Sequence, residues 1–185
     1  MSSYKVLSKQ TFTKGDFSIV PIRFEDRLDI MKWRNEQIYH LRQAKPLTEE
    51  DQNTYFQQVV SKLFDQEQPN QLLFSFLKKD TCIGYGGLVH INWVDKHAEI
   101  SFVMNTLLEQ DFFSKHWSIF LILIELVAFK ELHFHKLSTY AFDLRPHLYE
   151  IIENAGFIKE GRLKEQCFFN GEYKDVLIHG KLNKN

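Results

Sequence analysis

The side chains best suited to chemistry fall into a few short stretches. Trp33-Arg34-Asn35, followed by Arg42, places two guanidinium groups near a candidate helix end. An arginine fork holds a phosphate bidentately through paired N–H donors. The same residues also suit a core tryptophan beside two exposed helix-end cations. Glu99 stands in an alternating run, His97 to Met104. A carboxylate there is either solvated on one strand face or sits at a cleft floor, where desolvation suits it to take up a proton. His90 and Asn92 share a face of a strand at period two and can donate to sugar hydroxyls, or serve in structural hydrogen bonds. His133 and His135 read H-x-H, but no carboxylate or cysteine stands at ligand spacing, so no metal site is expected. The glycines of GYGG (Gly84 to Gly87) continue as a strand and open no helix, so they form no phosphate fingerprint.

These residues sit in a chain of 185, with 44% hydrophobic and 25% charged residues, 17 Phe and 3 Trp. That composition supports one domain with a substantial core and excludes a disordered chain. Lys plus Arg is 23 against 24 for Asp plus Glu, a net charge of −1. The balance argues against duplex nucleic acid and against a membrane surface held by charge. The apolar run Ile119–Phe129 is interrupted by Glu125 and is too short to span a bilayer. The opening MSSYKVLSKQ has no apolar signal core. Cys82 and Cys167 are the two cysteines, far apart and outside any CxxC, which fits a reduced, cytoplasmic setting.

The elements that position the candidates follow from periodicity. Phe17–Arg23 alternates like a strand, with Pro21 marking an edge or bulge. Asp26 caps a helix running to Asn35, and Thr48 opens a second whose apolar positions from Tyr55 to Phe64 repeat at helical spacing. Strands are predicted at Leu72–Leu77, Cys82–Trp93 and His97–Met104, then a buried helix over Lys115–Leu132. Leu137–Phe142 is a strand and Pro146–Ala155 a helix stopped by Gly156. Asn170-Gly171 turns a hairpin between Glu165–Phe169 and Tyr173–Lys181. The order β-α-α-β-β-β-α-β-α-β-β describes an α/β domain with a mixed sheet.

That order resembles the GNAT N-acetyltransferase fold across roughly Phe17 to Leu182. IGYGGLVHI (Ile83–Ile91) and AEISFVMN (Ala98–Asn105) look like the family's third and fourth strands. ELHFHKLSTYAFDLRP (Glu131–Pro146) and ENAGFIKEGRLKE (Glu153–Glu165) match later motifs. FFNGEYKDVLIHG (Phe168–Gly180) is similar to the closing hairpin of the ribosomal-protein N-terminal branch. WRNEQIYHLRQAKPLTEEDQNTYF (Trp33–Phe56) resembles the opening of enzymes that acetylate nucleotide-linked amino sugars.

The resemblance implies one GNAT-like domain over residues 1–185, with a mixed, mostly antiparallel sheet flanked by helices. It implies transfer of an acetyl group from acetyl-CoA to a primary amine, on a nucleotide-linked amino sugar or a protein N-terminus. Glu99 falls where the histone-acetyltransferase branch places its general base. Backbone N–H groups near Phe102, Val103 and Met104 would hold the thioester carbonyl. Trp33, Arg34, Asn35 and Arg42, with His90 and Asn92, would shape the acceptor pocket.

Two family features are missing. The glycine loop that cradles the acetyl-CoA pyrophosphate is replaced by Phe112-Phe113-Ser114-Lys115-His116-Trp117. Ile152 stands where the family often has the tyrosine acid, leaving Tyr149, on the same helix face, as the substitute; Arg145 replaces an asparagine. Either Ser114, Lys115, His116 and Arg145 bind CoA through side chains, or Phe112, Phe113 and Trp117 fill the pocket and leave a binding module. The expected partner is a small-molecule amine, with neither nucleic acid nor membrane, and exposed edge strands could pair a homodimer.

Overall fold

The computed structural model describes residues 2–184. Eight strands form one sheet in the order β1-β2-β3-β4-β5-β6-β8-β7. They are β1 Phe12–Lys14, β2 Phe17–Pro21, β3 Leu72–Lys78, β4 Thr81–Asn92, β5 His97–Met104, β6 Lys136–Phe142, β7 Ile158–Phe169 and β8 Glu172–Leu182. Every neighbouring pair is antiparallel except β5 and β6. Helices α1 Arg27–Glu36, α2 Glu49–Tyr55 and α3 Ser61–Leu63 precede β3, α4 Glu109–Glu125 joins β5 to β6, and α5 His147–Asn154 precedes β7. The α/β, mostly antiparallel architecture expected from the sequence is present.

Alternation along the strands divides the core between two faces. Leu72, Phe74 and Phe76 of β3 join Phe120, Leu121 and Ile124 of α4 in the larger cluster. Leu73, between them in sequence, turns to the opposite face and packs with Ile30, Trp33 and Phe56 under α1 and α2. Helix Thr106–Glu131 is apolar and long enough to cross a bilayer by length and composition. Its Phe120, Leu121, Leu123 and Ile124 are buried in the core, which accounts for the apolar sequence.

Capping sets the start of α2: Thr48 and Asp51 exchange side-chain and backbone hydrogen bonds in a capping box. Asp26 occupies the N-cap of α1 but makes no side-chain cap. It accepts instead from Arg23 Nε at 2.7 Å and Ser75 Oγ at 2.6 Å, tying the start of α1 to β3. The central helix starts at Glu109, earlier than the predicted Lys115, because Glu109 and Asp111 suit a helix's first turn despite their polarity.

The glycines of GYGG serve close packing. A Cβ on Gly86 would stand 2.2 Å from the Ser101 carbonyl oxygen and 2.8 Å from the Phe120 ring. Neither the paired strand nor the buried ring can yield, so Gly86→Ala is expected to destabilise the fold by about 1–3 kcal/mol, the usual cost of overpacking. A urea denaturation midpoint equal to that of the unaltered chain would contradict this packing.

Candidate active site

The parallel pairing of β5 with β6 is short. It runs through His97↔Lys136 and Ala98↔Leu137 and ends at Glu99↔Ser138. Beyond it, β5 stays with β4 as far as Gly84↔Met104, while β6 follows β8 as far as Phe142↔Val176. The strands therefore part just past Glu99, and a cavity of about 560 Å³ opens between them. Glu99, Ile100, Ser101 and Phe102 form one wall and Thr139 to Phe142 the other. Phe113 and Trp117 of α4 reach it, as do Arg145 and Leu148 near α5.

Backbone polarity follows from the ladder. Asn105 N–H donates to the Ile83 carbonyl at 2.8 Å. Alternation along β5 then turns the backbone of Phe102 and Met104 away from β4, toward the parted edge. The Met104 carbonyl is taken by Gln37 Nε2 at 2.7 Å. Two buried polar atoms on cavity-lining residues have no partner among the described residues: Trp117 Nε1, an N–H donor, and Thr139 Oγ1. Such groups are costly unless a ligand or water meets them.

Sequence-predicted residues divide sharply by placement. Glu99, Phe102, Arg34, Arg42, His90 and Arg145 all line the cavity. The Glu99 side chain is 16% exposed and forms an ion pair with Arg42, whose guanidinium also lies 4.6 Å from the centre of the Tyr140 ring. Arg34 donates from Nε to Gln43 at 2.9 Å and from Nη1 to the Tyr85 hydroxyl at 2.6 Å, so its charge meets neutral partners. Arg145 pairs with Glu109 at 3.1 Å. Asn35 does not face the cavity. Its amide exchanges hydrogen bonds with Leu47 at 2.9 and 2.8 Å and accepts from Gln43 at 3.0 Å, which shapes the loop carrying Arg42. Trp33 is core, as is Val103 beside it, and Met104 packs in the other cluster.

Other expectations meet a different geometry. Asn92 is engaged with Asp95 at 2.8 and 2.9 Å in the turn after β4. A bulge between Val89 and Asn92, with His90 at φ 50°, breaks the period that would have put His90 and Asn92 on one face. Residues 112–117 lie inside α4 and form no loop. Ser114 and Lys115 are exposed, and Lys115 Nζ lies 5.9 Å from the centre of the Phe17 ring, a residue of β2. His116 is 2% exposed among Phe17, Phe76 and Phe112, and burial lowers its pKa. It is a core residue with no phosphate-facing surface. Tyr149 does not line the cavity. Its hydroxyl meets Asp143 Oδ1 at 3.1 Å and the Phe142 carbonyl at 3.3 Å, and burial, then the Asp143 charge, raises its pKa.

Sequence reasoning missed His40 and Tyr140 as cavity walls, since neither carried a motif, and named Trp117 as a side chain that would fill the pocket. Acetyl-CoA, implied by the fold, meets a site that fits at one end. The parted strands, free backbone groups and orphan polar atoms suit the acyl arm. The first turn of α4 carries Glu109 and Asp111 and offers no glycine cradle for a diphosphate.

Comparison with known proteins bears on this site. The family model described as an acetyltransferase (GNAT) domain matches residues 19–178. A spermidine N(1)-acetyltransferase of Vibrio cholerae serotype O1 is 30% identical over 95 residues, which cover 51% of this chain and 53% of that protein. The match thus spans about half the length of that curated relative. The structure of a Vibrio cholerae spermidine N-acetyltransferase in complex with CoA and spermine superposes with a TM-score of 0.78 at 18% identity, covering 92% of this chain and 97% of that one. A spermidine/spermine N-acetyltransferase from the same organism, in complex with manganese ions, gives 0.73 at 19% identity over 91% and 94%. At these identities the structural likeness concerns the fold.

The cavity geometry also fixes a pH response. Burial, then the Arg145 charge, pushes the His40 pKa down to about 3. NMR of the His40 ring should show it neutral from pH 8 to pH 5, whereas an unfolded chain takes up that proton near ~6.5. The unfolded state binds more protons in that window, so stability falls as pH drops from ~6.5 toward the folded value. A His40→Gln variant should lose this part of the pH dependence. Titration of His40 near its ordinary value in the folded protein would contradict the burial.

Proposed function

The chain belongs to the GNAT acetyltransferase family, and on that premise we propose that it is an N-acetyltransferase using acetyl-CoA. We infer an acceptor amine whose carrier bears an anionic group, such as a nucleotide-linked amino sugar. The observation that supports the reaction is the parting of β5 and β6 immediately after Glu99, which sets a carboxylate at the apex of an opening through the sheet. Acetyl-CoA, when bound, supplies an activated thioester carbonyl. The chain's own residues then position and exchange protons. Glu99 accepts the proton released as the amine nitrogen bonds to carbon, directly or through one water. Backbone N–H groups of Phe102 and Met104, on the parted edge, are the candidate donors to the carbonyl oxygen.

Charge supports the choice of acceptor. Three arginines, Arg34, Arg42 and Arg145, line the cavity; Glu99 pairs with Arg42 and Glu109 with Arg145, which leaves a surplus of one positive charge. Spermidine, the substrate in the names of the Vibrio relatives, is a polycation and would face this surplus of like charge. Arg34 has no carboxylate partner among the described residues and is the natural anchor for a phosphate. A second reading, a binding module without acyl transfer, is favoured by Glu109 and Asp111 at the start of α4.

Assays with acetyl-CoA should show turnover on a nucleotide-linked amino sugar and little on spermidine. Preferential acetylation of spermidine would overturn the anionic-acceptor assignment, and the absence of any acetyl transfer would favour the binding module. Glu99→Gln is expected to cut turnover about a hundredfold with acetyl-CoA affinity retained, as for loss of a general base. Unchanged turnover would remove Glu99 from the mechanism. Arg34→Met should lower kcat/KM about tenfold for an anionic acceptor, the effect of losing a charge-assisted contact.

A further inference from the structure

Arg42 bridges the parted strands on the acceptor face. It reaches from the loop before α2 to the Glu99 carboxylate on β5 while its guanidinium lies against Tyr140 on β6. The loop is itself organised. Gln43, next in sequence, is held by Arg34 and Asn35, and Asn35 fixes Leu47 beyond it. Arg42 is 49% exposed as a side chain, whereas Glu99 is 16% exposed. The guanidinium thus covers the carboxylate from the solvent side. An exposed, single-point ion pair of this kind is held weakly and can exchange partners.

The pair has a chemical consequence that rests on the acetyl-transfer reading above. An amine that hands its proton to Glu99 at Oε1 must approach through the place that Arg42 now fills. A neutral amine brings nothing to draw the guanidinium away. An acceptor carrying a phosphate brings a competing anion with which arginine forms bidentate contacts. We propose that Arg42 is a substrate-operated gate: an anionic acceptor takes its guanidinium from Glu99 and so uncovers the base that the same acceptor requires. The proton balance is complete. The amine nitrogen forms the C–N bond as the C–S bond breaks, Glu99 takes the amine proton, and the thiolate leaves to be protonated from solvent. Arg42 exchanges partners and is not consumed. It is a specificity-determining residue, not the base.

The test reads the ion pair without depending on turnover. Carbon-13 NMR of the Glu99 carboxyl, assigned with Glu99→Gln, is recorded with glucosamine and with glucosamine 6-phosphate, probes that differ only by the phosphate. The phosphate ester should move the Glu99 signal toward its position in Arg42→Gln, glucosamine should leave it in place, and the ester should have no such effect in Arg42→Gln. A Glu99 signal unmoved by the ester, or moved equally by glucosamine, overturns the gate. In parallel assays, Arg42→Gln should narrow the preference for the phosphorylated acceptor about tenfold or more. An unchanged preference also overturns the gate. If acetyl transfer proceeds while the signal stays fixed, the gate fails and the reaction stands. If no acceptor is acetylated, the reaction fails, while the NMR response still decides what Arg42 does.

Discussion

One break in hydrogen bonding organises this molecule. Strands β5 and β6 are bound parallel for three residue pairs, ending at Glu99↔Ser138. Each then follows a different partner, β4 on one side and β8 on the other. A buried strand edge without a partner is costly, since its backbone donors and acceptors lose water. The parted edges are tolerated because they line an open cavity, and that cavity is where a ligand can meet backbone groups directly. The larger core under α4 and the smaller one under α1 and α2 keep the sheet rigid on both faces of the break.

The break also explains why the chemistry gathers there. Side chains of β5 alternate, so Glu99 faces the side of α1 while Phe102 turns toward α4, where it stacks on Trp117 at 4.8 Å between ring centres. An opening through the sheet thus presents a charged mouth on one side and an aromatic wall on the other. In the proposed reaction, amine and thioester approach from opposite faces. Lys115 and Trp117 stand where the family resemblance places the loop glycines, and both lie within the central helix.

Much of the frame was legible in the sequence because burial follows periodicity. The run His97–Met104 coincides with β5, and the predicted Leu137–Phe142 differs from β6 by one residue. Asn170-Gly171 turns the last hairpin with φ of 49° and 81°. Other features had no local signature. Strand β1 is three residues long, and the first half of β7 is exposed on both faces, so neither carries an apolar alternation. The bulge at Val89–Asn92 shifts His90 against Asn92, and no residue type announces it. Arg42 and Glu99 lie 57 positions apart, a pairing set by the tertiary fold alone. Lys115 and His116 looked like phosphate ligands by residue type, yet helical phase turns one to solvent and the other into the core.

Hydrogen exchange of the backbone, followed by mass spectrometry with and without acetyl-CoA, tests the central claim most directly. Binding in the break predicts slowed exchange confined to peptides covering 100–104 and 139–142, with the start of α4 less affected because its acidic first turn offers no diphosphate cradle. Unchanged exchange in both strand segments at saturating acetyl-CoA, or protection centred on another part of the sheet, would contradict the account.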